Sequence, residues 1–164
     1  MELNESLLRL LPAGVDLQAN DDDLVEPFKS AALSGWIQHS TGAWFIQSFM
    51  DSYRGRIDAF SDLTSAEAAI NGRAIPDQDL EVSNPCRAEA IARRGIAFGC
   101  AAISRLRDYS NAPMAVSYVS VGPALYDERV ITGAVTVTTC HPNESPYISD
   151  INGFGGTGII IIRS

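Results

Sequence analysis

The hydrophobic periodicity of the chain changes near residue 112, and this change limits the fold more than any other feature of the sequence. From about Pro85 to Tyr109, small and apolar residues recur at helical spacing. The members of this stripe are Ile91, Gly95, Phe98, Ala102 and Leu106. Residues 129–140 instead alternate with a period of two, which is typical of a half-buried strand. The residues on its apolar face are Ile131, Gly133, Val135 and Val137.

Helices followed by strands predict an α+β fold, with N-terminal helices and a long central helix packed on a C-terminal antiparallel sheet. Gly95 and Gly99 cost the central helix roughly 1 kcal/mol each relative to alanine, so we expect another backbone to approach it closely there. The length of 164 residues suits a single domain, with a helical half over 1–110 and a sheet half over 112–164.

Local signals place the remaining elements. Short helices are predicted over residues 3–11, 21–35, 41–55 and 64–72, and no strand is expected between residues 22 and 53. Their candidate N-caps are Asp21 or Asp22, Thr41, and Thr64, whose spacing to Glu67 is that of a capping box. The predicted strands are 114–121, 129–140, 147–151 and 159–162, and the polar residues 73–85 are predicted to form an exposed connection.

Composition and charge exclude several classes of function. The net charge of −8 disfavours general nucleic-acid binding, because an acidic surface repels phosphates. The three cysteines show no CxxC spacing, which argues against a disulfide framework and a structural zinc site. The sequence shows neither a signal-peptide pattern nor an apolar run of membrane-spanning length, so we expect a cytoplasmic protein without a membrane partner. Neither a metal nor a cofactor is predicted.

A glycine-rich segment near the C-terminus is the strongest local signal for a ligand site. Four glycines lie among residues 152–158, and glycine permits both positive φ and close approach of the backbone to a ligand. The candidate ligand-binding residues are Gly153, Phe154, Gly155, Gly156 and Thr157. The segment leads into a predicted strand, so it offers no helix N-terminus to a phosphate. A tight hairpin loop without a ligand is the alternative interpretation.

Residues 147–162, with the sequence YISDINGFGGTGIIII, resemble the C-terminal hairpin of β-ketoacyl synthases, which have the thiolase-like fold. The resemblance spans about a tenth of the chain. It implies that the glycine-rich loop lines a site for an acyl thioester or an acyl carrier. The HGT or GHT histidine motif of that family is absent here. The resemblance therefore implies acyl binding without the complete catalytic apparatus of a synthase. Cys100 loosely resembles the nucleophile of a synthase, but it falls in the middle of the central helix, so it is interpreted as a buried structural residue.

A second resemblance lies in the N-terminal half. Residues 36–49, with the sequence WIQHSTGAWFIQSF, resemble the start of the caspase small subunit. Ile37 stands where that family has its substrate-binding arginine, and no large-subunit motif is present. A homologue of the caspase small subunit is therefore a further hypothesis for the chain.

Cys140 and His141 are the candidate catalytic residues. An adjacent cysteine and histidine at the end of a strand could support thiolate chemistry, with Glu144 and Asp150 nearby. Neighbouring side chains of a strand point to opposite faces, so direct pairing requires the strand to break, and Pro142 makes such a break plausible. A surface loop with a bystander histidine is the alternative.

Three functional hypotheses follow from these patterns, and whether the chain is an enzyme stays open among them. The first is acyl-thioester binding through the glycine-rich loop. The second is a non-enzymatic assembly subunit that forms a homo-oligomer. The arginines of the segment 86–108 are interpreted as a solvated surface. Under the second hypothesis they are instead one half of a subunit contact with the acidic N-terminal half. The caspase-like hypothesis is the third.

Overall fold

The computed structural model describes all 164 residues and confirms the α+β class. The helices are α1 (Glu5–Leu10), α2 (Phe28–Leu33), α3 (Gln47–Ser52), α4 (Leu63–Asn71) and α5 (Arg87–Leu106). The strands are β1 (Glu2–Leu3), β2 (Trp36–Gln38), β3 (Trp44–Ile46), β4 (Arg73–Ala74), β5 (Ala115–Ala124), β6 (Asp127–Thr139) and β7 (Gly158–Arg163). None of the helices has the length and apolar character that crossing a membrane requires.

The main sheet is antiparallel throughout, with the strand order β1-β7-β5-β6-β4. Its central pair, β5 and β6, is a long hairpin in which Ala115 lies opposite Thr139. The predicted alternation of β6 is confirmed, since Val135 and Val137 belong to the main core beneath α5 while Thr136 lies on the other face. β7 joins the free edge of β5, which brings the C-terminal strand into the middle of the sheet.

Two glycines allow α5 to lie close to β5, as predicted. A Cβ atom added to Gly95 would lie 2.5 Å from Cγ1 of Val119, and one added to Gly99 would overlap the side chain of Ser117. The helix therefore meets the sheet at backbone distance along this stripe. The flanking residues Ile91 and Phe98 are fully buried and complete the contact.

The predicted helix over 41–55 is wrong in its first part, and so is the expectation that no strand lies between residues 22 and 53. Residues 36–46 form the β2–β3 hairpin, and only Gln47–Ser52 is helical. Trp44 and Ile46 pack in the main core, whereas Phe45 packs with Ala66 and Ile70 in a second core cluster. This strand is buried on both faces, and such an apolar run cannot be told from a buried helix by periodicity alone.

The other N-terminal predictions need smaller corrections. The predicted helix 21–35 is a 3-10 turn at Asp21–Asp23, capped by Asn20, followed by α2 after Pro27. Pro27 interrupts it because the residue before a proline is biased away from helical backbone. In α4 the N-cap is Asp62, whose side chain accepts a hydrogen bond from the Ser65 backbone N–H. The predicted capping box is not formed.

Residues 147–151 are not a strand, so the predicted C-terminal hairpin is also wrong. Both edges of β5 and β7 are already paired, so this segment cannot pair with β7 as a hairpin would require. It lies instead across the face of the sheet opposite α5. There Ile148 and Ile151 pack against a cluster formed by Val116, Tyr118, Ile159 and Ile161. The sheet is thus covered by a helix on one face and by a loop on the other.

Two arginines of α5 are buried, which corrects their interpretation as a solvated surface. Arg87 donates hydrogen bonds to the carbonyl groups of Ile131 and Leu80 and pairs with Asp77 at 2.5 Å. Arg94 binds the Asp79 carboxylate with two N–H groups, at 2.7 and 2.5 Å, and donates to the Pro76 carbonyl. These bonds hold the connection before α5 against the helix.

We expect Gly95→Ala to lower the free energy of unfolding by about 1–2 kcal/mol. The overlap with the stiff Val119 side chain outweighs the gain in helix propensity, which is about 1 kcal/mol. Urea denaturation followed by circular dichroism measures the change. Gly155→Ala is the matched control, because a Cβ atom there meets nothing within 4 Å. Equal stability of the two variants would contradict the close packing.

We expect Asp79→Asn to lower the free energy of unfolding by about 1 kcal/mol at neutral pH, since the bidentate bond to Arg94 is lost. Arg94 lowers the pKa of Asp79 from 3.8 to about 2. The stabilisation is therefore fully present above the unfolded pKa of 3.8 and is lost as the pH falls towards 2. Urea denaturation across this range measures the difference between variant and wild type, which should shrink on acidification.

Asp127→Asn is the control for this experiment. Asp127 pairs with Arg129, whose side chain is 87% exposed, and exposed pairs contribute about 0.5 kcal/mol or less. A loss in this variant as large as that in Asp79→Asn would show that burial of Arg94 is not the cause.

Candidate functional site

A cavity of about 480 Å³ lies between the sheet and the segment 140–157, on the face opposite α5. This volume is within the usual range of small-molecule sites. The side chains around it include Tyr118, Ser120, Thr136, Tyr147, Ile148, Phe154, Thr157 and Ile159, and no lining residue is charged. The cavity therefore offers an apolar body with a few hydroxyl groups.

The structure brings two of the five predicted ligand-binding residues to this cavity. Phe154 and Thr157 line it, whereas Gly153, Gly155 and Gly156 lie in the exposed loop and do not. Gly156 has a φ of +78°, in the left-handed region that favours glycine. The glycines set the backbone conformation of the loop, and the side chains of Phe154 and Thr157 line the cavity.

Tyr118 and Tyr147 form one wall of the cavity. Their rings meet edge to face, with centroids 5.5 Å apart and planes at 69°, an arrangement that aromatic pairs favour. Tyr118 projects from β5 and Tyr147 from the loop, so the contact helps to hold the loop on the sheet. Burial raises the pKa of the Tyr118 phenol still further above neutral pH, so its hydroxyl group is protonated there.

A smaller polar pocket of about 130 Å³ adjoins the cavity, and Tyr118 lines both. Its other lining residues include Thr64, Thr138, Thr139, Cys140, His141, Glu144 and Ser145. The pocket thus lies at the end of β6, between the start of α4 and the loop. Both predicted catalytic residues lie on it.

α4 supplies the polar groups behind this pocket. Glu67 accepts hydrogen bonds from the backbone N–H groups of Trp44, at 2.8 Å, and Thr139, at 2.5 Å. One turn later, Asn71 accepts from the N–H of Ile46 and donates to the carbonyl groups of Trp44 and Val137. The two side chains bridge β3 and β6 at edges where neither strand has a neighbouring strand.

The imidazole of His141 binds the buried carboxylate of Glu67. The distance from Nε2 to Oε1 of Glu67 is 2.9 Å, and the Thr139 hydroxyl lies within hydrogen-bonding distance of both groups. Glu67 is fully buried, and its burial raises the pKa of the carboxyl, an effect that the backbone N–H groups of Thr139 and Trp44 oppose. Such a contact orients the imidazole ring and selects its tautomer.

The hydrogen-bond network assigns the proton of His141 to Nε2. Both oxygens of Glu67 already accept bonds from backbone N–H groups, and an ionised carboxylate can only accept. The nitrogen facing it must then be the donor. The other ring nitrogen, Nδ1, has no hydrogen-bond partner within the protein, although the side chain is only 10% exposed. His141 therefore presents an acceptor nitrogen.

No hydrogen bond joins Cys140 to His141, although both residues line the polar pocket. The backbone N–H of Cys140 still donates to the Met114 carbonyl, so Cys140 continues the ladder of β6 and its side chain is exposed. Neighbouring side chains of an extended chain point to opposite faces, which disfavours a contact between these two residues. Cys100 is also exposed, which corrects its interpretation as a buried residue.

Sequence reasoning missed Glu67 as a site residue because its spacing from Thr64 matched a helix cap. The available signal was its position among small and apolar residues of α4, namely Ala66, Ala68 and Ile70. A charged residue inside an apolar run is rarely buried unless it is paired.

A second carboxylate, Glu144, fixes the loop at the mouth of the pocket. It accepts hydrogen bonds from the backbone N–H groups of Leu63 and Thr64 and from the Thr64 hydroxyl. Burial acts to raise the pKa of Glu144, but the bonds from Thr64 and Leu63 outweigh it and lower the pKa below its ordinary value. The loop is thereby tied to the first turn of α4.

We expect Glu67→Gln to lower the free energy of unfolding by about 2–3 kcal/mol. The amide has only one acceptor oxygen, so the N–H of either Trp44 or Thr139 then faces a donor. Urea denaturation measures the change, with Glu5→Gln as control because the Glu5 side chain is 81% exposed. If Glu67→Gln lowers the free energy of unfolding no more than Glu5→Gln does, the buried hydrogen bonds of Glu67 do not stabilise the fold.

Neither a protein-family model, nor a curated protein, nor a solved structure matches this chain. The resemblances of residues 147–162 and 36–49 to known families therefore stay predictions. The functional argument rests on the cavity, the polar pocket and the residues that join them.

Proposed function

We propose that this protein binds a neutral acyl compound, such as an acyl thioester, and holds the acyl chain in the cavity between the sheet and the loop. The observation that carries the proposal is the uncharged cavity, lined by Phe154 and Thr157 of the glycine-rich segment. Apolar walls with a few hydroxyl groups suit an alkyl chain that ends in a polar group. The resemblance of the glycine-rich loop within residues 147–162 to the acyl site of β-ketoacyl synthases favours the same ligand class.

The charges around the site favour a ligand whose polar end is neutral. None of the residues that line the cavity is charged. Asp62 and Glu144 line the groove next to the polar pocket, and the whole chain carries a net charge of −8. These charges repel phosphate groups. A thioester without phosphates should therefore bind better than the same acyl group on a phosphate-bearing carrier.

We expect the octanoyl thioester of N-acetylcysteamine to bind with a stoichiometry of about one, as measured by isothermal titration calorimetry. Phe154→Ala should weaken binding about tenfold, because the ring contributes apolar contact area to the ligand. Ala134→Phe should abolish binding by filling the cavity that Ala134 lines. Octanoyl-coenzyme A should bind more weakly than the neutral thioester.

Tyr126→Ala is the matched control, because Tyr126 is an aromatic residue with 85% exposure at the β5–β6 turn, away from the cavity. Circular dichroism checks that each variant keeps its fold. No binding of either thioester at millimolar concentration would remove the proposal. Binding of the coenzyme A ester alone would overturn its preference for a neutral ligand.

A further inference from the structure

We infer that His141 is a general base, oriented by Glu67, and that the protein hydrolyses the acyl compound held in the adjoining cavity. This inference rests on the proposed function, because the cavity must first hold the acyl chain. It adds an activity, for which water is the nucleophile and a thioester or ester carbonyl is the substrate group.

The first support is the arrangement of the base. The buried carboxylate of Glu67 lies 2.9 Å from Nε2 of His141, and the network of donors around Glu67 leaves Nδ1 as the acceptor nitrogen. An acceptor nitrogen held in place by a carboxylate on the far side of the ring is the usual form of a histidine base. Glu67 is a positioning residue here, since it binds the imidazole but lines neither the cavity nor the polar pocket.

The second support is that this nitrogen has no other assignment. The His141 side chain is nine-tenths buried, its exposed fraction being 10%, and Nδ1 makes no hydrogen bond within the protein. Nδ1 is accessible to solvent, since the buried side-chain atoms without a partner are Oγ of Ser48, Nε of Arg93 and Oγ of Ser117. A water molecule or a ligand can therefore reach this nitrogen from the pocket that His141 lines.

The third support is position. The polar pocket has room for water beside His141, because its volume of about 130 Å³ exceeds the roughly 30 Å³ that one water occupies in the liquid. Tyr118 lines both the pocket and the cavity, so the two spaces meet at this residue. The carbonyl group of an acyl chain seated in the cavity would lie at this junction, next to the pocket. Ser145, whose hydroxyl makes no hydrogen bond within the protein, lines the pocket and can donate to the carbonyl oxygen.

The step is hydrolysis and requires water alone as co-reactant. Nδ1 of His141 takes a proton from water as the water oxygen forms a bond to the carbonyl carbon. The tetrahedral intermediate then expels the sulfur, breaking the C–S bond, and the imidazolium returns the proton to the leaving thiolate. The products are a carboxylic acid and a thiol, with no change of oxidation state. Glu67 stabilises the imidazolium while it exists.

The test measures octanoic acid released from the octanoyl thioester by mass spectrometry, with binding measured in parallel by calorimetry. We expect His141→Gln to lower kcat at least about 100-fold while the dissociation constant stays within about twofold of wild type. Imidazole added to His141→Ala should restore part of the rate. His39→Gln is the matched control and should keep the wild-type rate, because His39 lines neither the cavity nor the polar pocket.

The dependence of kcat on pH shows whether Glu67 positions His141 for catalysis or only supports the fold. Besides Glu67, the titratable groups around His141 are Asp62, Tyr118, Cys140 and Glu144. In Glu67→Gln, the acid limb of kcat should move to lower pH, because an amide does not stabilise the imidazolium. The corresponding limb of Glu144→Gln should move less, since Glu144 binds the start of α4 and makes no hydrogen bond to the ring.

Several results would overturn the inference. A thioester that binds but is not hydrolysed faster than in buffer removes the activity and leaves the binding function standing. A wild-type rate in His141→Gln removes the base. Loss of the rate in Cys140→Ala would show that a thiol nucleophile, and not water, attacks the carbonyl. Absence of binding, by contrast, is a failure of the proposed function and is seen in the calorimetry alone.

Discussion

Glu67 and Asn71, one turn apart on α4, complete the backbone hydrogen bonding of two separate sheets. Together they satisfy N–H groups of Trp44, Ile46 and Thr139 and carbonyl groups of Trp44 and Val137. Buried backbone groups without partners cost about 1–3 kcal/mol each, so a helix at this position must carry side chains that both donate and accept. The β2–β3 hairpin is attached to the main sheet through this helix, and the orientation of His141 depends on the same contact.

The two faces of the main sheet are covered in different ways, and this difference creates the candidate site. On one face, α5 lies at backbone distance because of Gly95 and Gly99, and no space is left between helix and sheet. On the other face, a loop without regular structure rests on a small apolar cluster. A loop is less closely packed than a helix, so the cavity and the polar pocket lie beneath it. Loops held by a rigid scaffold commonly carry function.

The structural role of Glu67 and its proposed role in positioning His141 depend on the same carboxylate. This carboxylate accepts from the backbone and also binds His141, so a substitution there changes folding stability and ring orientation together. Activity measurements on such variants therefore need a parallel measurement of stability. The substitutions at His141 and Cys140 avoid this overlap, because neither side chain lies fully inside the core.

Local periodicity by itself determined α5 and the β5–β6 hairpin, because a helical stripe and a two-residue alternation each depend on neighbours within the same element. It also indicated the close approach at Gly95, whereas the glycine-rich segment made Phe154 a candidate ligand-binding residue, and Phe154 lines the cavity. Only the tertiary structure decided the rest. Residues 44–46 form a strand because two cores bury its opposite faces. Residues 147–151 cover the face of the sheet, because β5 and β7 beside them are paired on both edges. The pairing of Glu67 with His141 joins positions 74 residues apart, a contact that no local pattern specifies.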